Sequence, residues 1–315
     1  MNTFETCRAA DLAVQPEQQR WLIEQLWAAG AVGVIGGEPK CCKSYLALQL
    51  AVAVASGTPC LGRFAAQRKG AVLLFAAEDA LHVVRERLEA IAATVGADFT
   101  TLDVHAITAP TVRLDLERDR RQLRETLAQL RPKLLVLDPF VRLHRIDENT
   151  ASEVAPLLAY LRELQRGFDS AVMLVHHARK AGHARAGQAL RGSSEIHAWG
   201  DSNLYLRRKR ELLLLAVEHR AAASINGMEL ALREGPGGAV ALHIVDDAPV
   251  EQPSATMERP AIERVERALA SGPQPSTVRV LRSSCRMRTA TVCKALAELK
   301  AQGRITEHDG GYSLR

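Results

Sequence analysis

Over the first 245 residues, short apolar runs rich in β-branched side chains alternate with longer stretches whose apolar positions recur every three or four residues. AVGVIGG (31–37), AVLLFAA (71–77), LDVHAI (102–107), LLVLD (134–138) and AVMLVHH (171–177) read as buried parallel strands. Helical segments fall between them at 43–56, 80–94, 117–130 and 151–166. This alternation predicts an α/β fold built on a doubly wound, mostly parallel sheet. After position 200 the strand candidates crowd together as SNLYLR, LLLLAVEH, MELALR and AVALHIV, with turn-like RKRE, AAASING and EGPGG between them. They predict antiparallel hairpins that extend the sheet. The Pro-rich tract around 246–257 reads as a linker. Residues 258–315 then offer three amphipathic helices (AIERVERALASG, ended by Gly272; PSTVRVLRSSC; RTATVCKALAELKAQGR) and the hairpin ITEHDGGYSL. That order is the pattern of a small winged helix following a domain that spans 1–245.

Charge divides the chain in the same place. Residues 257–315 hold 11 Lys/Arg against 6 Asp/Glu, whereas residues 1–256 hold 30 of each. The whole surplus of positive charge therefore sits in the C-terminal segment, as expected for a surface that meets nucleic acid. No run is apolar enough to span a bilayer, and MNTFETCRAADLAVQPEQQR lacks the basic and apolar stretches of an export signal, so a cytoplasmic protein is expected. Six cysteines, at 7, 41, 42, 60, 285 and 293, show no metal-ligand spacing and read as reduced thiols.

The chemistry begins at Gly37-Glu38-Pro39-Lys40-Cys41-Cys42-Lys43-Ser44, with Tyr45 next along the helix. This segment follows an apolar strand and opens a helix, the setting of a phosphate-binding loop. Backbone N–H groups and the helix N-terminus cradle phosphate, Lys43 reaches the β/γ oxygens of ATP, and the Ser44 hydroxyl binds Mg²⁺. The second glycine of such loops is here Cys42, whose backbone is expected to be strained at about 1–3 kcal/mol. Asp138 ends the run LLVLD, where an acid supports Mg²⁺. Glu78 and Asp79 end LLFAAED, where a carboxylate orients attacking water, and His176 and His177 end AVMLVHH. These strand ends meet at the carboxyl edge of the sheet, where α/β folds bind ligands.

The ordered set GEPKCCKSYLALQLAVAVASG, AAED, LLVLDPF, VHHARK and LRGSS resembles the RecA-like ATPases related to plasmid-encoded hexameric replicative helicases, over about residues 17–245. The resemblance implies ATP with Mg²⁺ as ligands and a homo-hexamer as the assembly. It implies that Glu78 is the catalytic base, that Asp138 is the second acid of the Mg²⁺ site, and that His176 or His177 senses the γ-phosphate. An arginine finger from a neighbouring subunit is also implied; Arg220 is its first candidate, with Arg207 and Arg208 as rivals. The same resemblance sends two loops toward single-stranded DNA. One carries Arg142, His144 and Arg145; the other carries Arg179, Lys180, His183, Arg185 and Arg191. Neither contains an aromatic, so contact with the phosphate backbone is expected rather than base readout. In the winged helix, Arg288 and Lys294 would face the major groove of duplex DNA, with Arg279, Arg282 and Arg286 on phosphates. A DNA motor, a DNA-bound ATP switch that unwinds nothing, and a filament-forming recombinase all remain open at this point. Cys42, beside Lys43 at a helix N-terminus, is further expected to favour its thiolate.

Overall fold

The apolar runs become strands and the periodic stretches become helices. The computed structural model describes residues 19–177, 194–235, 238–245, 258–271, 275–285, 289–308 and 311–314, together with 4, 6–12, 14 and 16. Two compact units divide the chain, Met1–Asp246 and Asp247–Arg315.

The larger unit begins with a hairpin of β1 (Trp21–Ile23) and β2 (Trp27–Ala28). Then follow β3 (Val32–Gly37), α1 (Lys43–Ser56), β4 (Val72–Ala76), α2 (Leu81–Thr94), β5 (Val104–Ala106) and α3 (Glu117–Leu130). Next come β6 (Leu134–Asp138), α4 (Ala151–Phe168), β7 (Ala171–His177) and α5 (Ser194–Trp199). Four strands close the unit: β8 (Ser202–Lys209), β9 (Leu212–His219), β10 (Ile225–Glu234) and β11 (Val240–Ile244). Nine of these strands form one sheet in the order β11-β10-β9-β8-β3-β7-β6-β4-β5. Pairing is parallel from β8 through β5 and antiparallel from β8 to β11, as the sequence predicts. The sheet is RecA-like in its mixed, mostly parallel architecture.

Burial explains why these segments took these shapes. The α3 and α4 helices lay Leu123, Leu127, Leu157, Leu161 and Leu164 against Val32, Val34, Leu135, Leu137, Val172 and Leu174 of the sheet. Their other faces carry the charges that kept them from reading as core. The α1 helix is different, being buried from Leu46 to Ala55. Its one buried amide is satisfied: Gln49 donates to the Leu242 carbonyl at 2.7 Å and accepts from the Leu242 N–H at 3.2 Å, tying α1 to β11. Neither the β1–β2 hairpin nor α5 is predicted by the sequence pattern; each is short and held by tertiary contacts, as when Trp27 buries completely.

The smaller unit contains α6 (Glu258–Ser271), α7 (Val278–Cys285) and α8 (Thr289–Ala301), then β12 (Ile305–His308) paired antiparallel with β13 (Gly311–Leu314). Ile262, Val265, Leu269, Leu281, Leu296, Leu299 and Ile305 make its core. Ser276 and Tyr312 exchange backbone hydrogen bonds at 2.9 Å, which adds the segment before α7 to the hairpin. Among the described residues, no helix is long and apolar enough to cross a membrane.

Candidate active site

Strand register decides which side chains meet. Gly37 of β3 lies opposite His177 of β7, and Ala76 of β4 lies opposite Asp138 of β6, so four carboxyl ends share one edge of the sheet. A cavity of about 310 Å³ opens there, lined by Lys40 through Tyr45, by Ala76, Glu78, Asp79 and Arg87, and by Asp138, Val175 and His177.

The loop from Gly37 to Ser44 turns tightly. A Cβ on Gly37 would stand 2.3 Å from the Leu206 carbonyl oxygen and 2.7 Å from Cys41 Sγ, so only glycine fits. Lys43 is buried, and its ammonium donates to the Glu38 carbonyl at 2.8 Å with Cys41 Sγ at 3.9 Å. The cation is thus held inside the loop, where nucleotide phosphates would meet it. Cys42 adopts φ 61°, ψ 28°, the left-handed conformation that the second glycine ordinarily supplies. The strain expected at this position is present.

Ser44 hydrogen-bonds Asp138, bringing a hydroxyl and a carboxylate together at the base of the loop. Burial pushes the Asp138 carboxyl up to about 6; the neighbouring carboxylates Asp79 and Glu78 push the same way, against the Ser44 hydrogen bond and Lys43. Three acids gather around one hydroxyl, and that set of oxygen donors fits a hydrated Mg²⁺. The residues present therefore suit the ligands expected of the fold.

Glu78 and Asp79 are each engaged by an arginine. Arg142 Nε donates to Glu78 Oε1 at 2.8 Å, and Arg87 Nη1 pairs with Asp79 Oδ2 while its guanidinium lies 5.0 Å from the centre of the Tyr45 ring. The sequence reading overlooks Arg87, because an arginine within an amphipathic helix has no mark that distinguishes it from a solvated face.

The two histidines separate cleanly. His177 lines the cavity, whereas His176 is 1% exposed and packs edge-on to Phe140 with its Nδ1 4.0 Å from Glu148 Oε1. Adjacent strand residues face opposite sides of a sheet, so only one of the pair can face the nucleotide. A correction applies to His144, expected to face DNA from the first loop. Its side chain is buried beside Phe140 and lies 3.3 Å from Glu148, whose carboxylate is held below its usual range despite its burial by the His144 hydrogen bond and the charges of His176 and His177. Arg142 and Arg145 of that loop are exposed. Arg179, Lys180, His183, Arg185 and Arg191 of the second loop lie outside the described residues, as do Arg286, Arg288 and the side chains of Arg279 and Lys294.

A second correction concerns Cys42. Burial raises its thiol pKa, and Arg208, Arg87 and Lys43 only partly oppose that. Desolvation outweighs the helix N-terminus, so the neutral thiol is favoured. Of the finger candidates, Arg208 donates to the Lys40 carbonyl at 3.0 Å and so braces the loop of its own chain. Arg207 is exposed beside it. Arg220 lies at the opposite edge of the sheet, near the start of β3, where it donates to the Ala198 carbonyl at 2.7 Å and pairs with Asp201.

Comparison with known proteins agrees with this geometry. The sequence profile of the AAA domain family matches residues 3–183. The chain belongs to the AAA domain family. Among solved structures, a helicase ATPase domain superposes with a TM-score of 0.54 at 12% identity, covering 70% of this chain and 87% of that one. The RadB recombinase superposes at 0.50 with 16% identity, covering 69% and 92%. These similarities establish a RecA-like P-loop ATPase fold. No curated protein sequence matches the chain.

Proposed function

We infer that this protein is an ATP-hydrolysing, oligomeric DNA motor of the plasmid or mobile-element replication type, working in the cytoplasm as a homo-hexamer. One observation carries the reading: a phosphate-binding loop, a Ser–Asp pair, an acid and a histidine converge from four strands on one cavity. Lys43 would contact the β/γ-phosphates, while Ser44 and Asp138 would hold Mg²⁺, which when bound neutralises phosphate charge. Glu78 accepts the proton of the attacking water, and His177 reads the γ-phosphate. Arg208 is committed to its own loop, which favours Arg220 or Arg207 as the residue that reaches a neighbouring subunit. The loop after Asp138 and the one after His177 face single-stranded DNA. The C-terminal unit, with its three helices, hairpin and surplus charge, acts as a winged helix on duplex DNA through the start of α8.

Displacement of a labelled strand from a forked duplex tests this function. The wild type is expected to displace strand in an ATP-dependent manner and Lys43→Ala to lose both nucleotide binding and displacement. The left-handed Cys42 favours a second reading, a slow DNA-bound ATP switch, regulator or loader, because strain in the loop disfavours rapid turnover. DNA-stimulated hydrolysis without displaced strand would select the switch. Filaments rather than rings in particle images would select a recombinase.

A further inference from the structure

Glu78 borders a second cavity besides the nucleotide pocket. This one measures about 430 Å³ and is walled by Phe75, Ala77, Glu78, Pro110, Thr111 and Arg142. The Arg142–Glu78 ion pair therefore lies between the nucleotide pocket and a cavity open to the first loop. The presentation of Arg142 is rigid at its root. It sits in a 3-10 turn from Phe140 to Arg142, anchored because Phe140 and Leu143 are fully buried and because the Leu143 N–H closes on the Phe140 carbonyl at 2.9 Å. The side chain itself is 62% exposed. Among the described residues it makes one hydrogen bond, through Nε to Glu78, which leaves the Nη donors for another oxyanion.

We propose that Arg142 restrains the catalytic glutamate in the resting chain, and that a phosphate of single-stranded DNA, entering the second cavity, draws the guanidinium away and frees Glu78 for water. The proposal rests on the reading of Glu78 as the base. While paired, Glu78 has one oxygen occupied by a donor and its negative charge partly cancelled, which lowers its basicity toward water. Exposed pairs of this kind are weak and easily screened, so a polyanion in the cavity competes well for Arg142. A phosphodiester is suited to that competition, because the guanidinium fork matches its two free oxygens. The arriving negative charge also repels the Glu78 carboxylate, so binding and release reinforce one another. Arg142 is on this account a positioning residue, acting through Glu78.

The test compares wild type, Arg142→Gln, Arg142→Lys and Glu78→Gln in steady-state ATP hydrolysis, with and without oligo-dT. Arg142→Gln should raise the DNA-free kcat about two- to fivefold, the factor that the free energy of one exposed ion pair allows, with KM for ATP unchanged. The rate at saturating DNA should match wild type, so stimulation shrinks by the same factor. Arg142→Lys should return the DNA-free rate toward wild type. The salt slope of oligo-dT binding to Arg142→Gln should fall by about 0.7, the share of one phosphate contact on a single strand. An unchanged or lowered DNA-free kcat in Arg142→Gln, with Glu78→Gln inactive, overturns the restraint while leaving the proposed function intact. Wild-type turnover in Glu78→Gln overturns both. A raised DNA-free rate with no response of either protein to DNA overturns the role of DNA.

Discussion

Replacing Asp138 by Asn should stabilise the nucleotide-free protein, and should do so increasingly as pH rises. The carboxyl is pushed from an ordinary 3.8 up to about 6 by burial and the neighbouring acids. The folded state thus binds its proton more tightly than the unfolded state does. The group imposes no penalty below pH 3.8; the penalty grows as pH rises through that window and is complete above 6. At about 1.4 kcal/mol per pKa unit the ceiling is on the order of 3 kcal/mol at pH 7.5 and about half that at pH 5. Asn keeps an oxygen for the Ser44 hydroxyl and carries no charge. Urea unfolding followed by tryptophan fluorescence is the appropriate assay, since all three tryptophans, Trp21, Trp27 and Trp199, lie in the larger unit. Asp138→Asn should unfold at higher urea than wild type, by about 1–3 kcal/mol at pH 7.5 and less at pH 5. Adding Mg²⁺ and nucleotide should reverse the ranking, because only the wild type gains from the cation. A variant less stable than wild type without ligand, or a difference that does not change with pH, would refute the argument that burial of this charge is costly.

Further expectations concern single residues and the tail. Glu78→Gln should retain nucleotide binding, measured with a fluorescent ATP analogue, and lose hydrolysis by at least about 100-fold, the usual contribution of a general base. Cys42→Gly should remain active and gain up to about 1 kcal/mol in urea unfolding. A left-handed conformation costs a non-glycine residue about 1–2 kcal/mol, and glycine's greater freedom when unfolded offsets part of that. Because burial raises its thiol, Cys42 should alkylate more slowly at pH 7.5 than exposed Cys7, as read by mass spectrometry. Deleting residues 258–315 should remove most affinity for duplex DNA and flatten its salt dependence while sparing DNA-free ATP hydrolysis, since the whole surplus of charge leaves with that segment.

How much of this was legible in the sequence differs with the range of the interaction. Helix α1 begins at Lys43 and ends at Ser56, as its pattern predicts, because the phosphate loop and Gly57 punctuate it locally. The strand ends that bring Asp138, Glu78 and His177 together were legible for a similar reason: each residue closes, or directly follows, an apolar run. The unusual backbone at Cys42 followed from the broken motif. What stayed hidden depends on side chains meeting across the fold. Arg87 reaches Asp79 from the next helix, Arg208 reaches Lys40 across 168 residues, and Arg142 reaches Glu78 across 64. His144 read as a basic loop residue, but Glu148 four positions on and Phe140 four positions back fold over it. The Cys42 thiol was misjudged because proximity to Lys43 is visible in sequence and desolvation is not.

Steady-state hydrolysis of Mg·ATP with and without single-stranded DNA, on protein whose mass in solution has been measured, tests the central claim most directly. The account predicts Mg²⁺-dependent turnover by an oligomer, accelerated by DNA and abolished in Lys43→Ala. Turnover that ignores DNA in the assembled protein, or persists in Lys43→Ala, would contradict it.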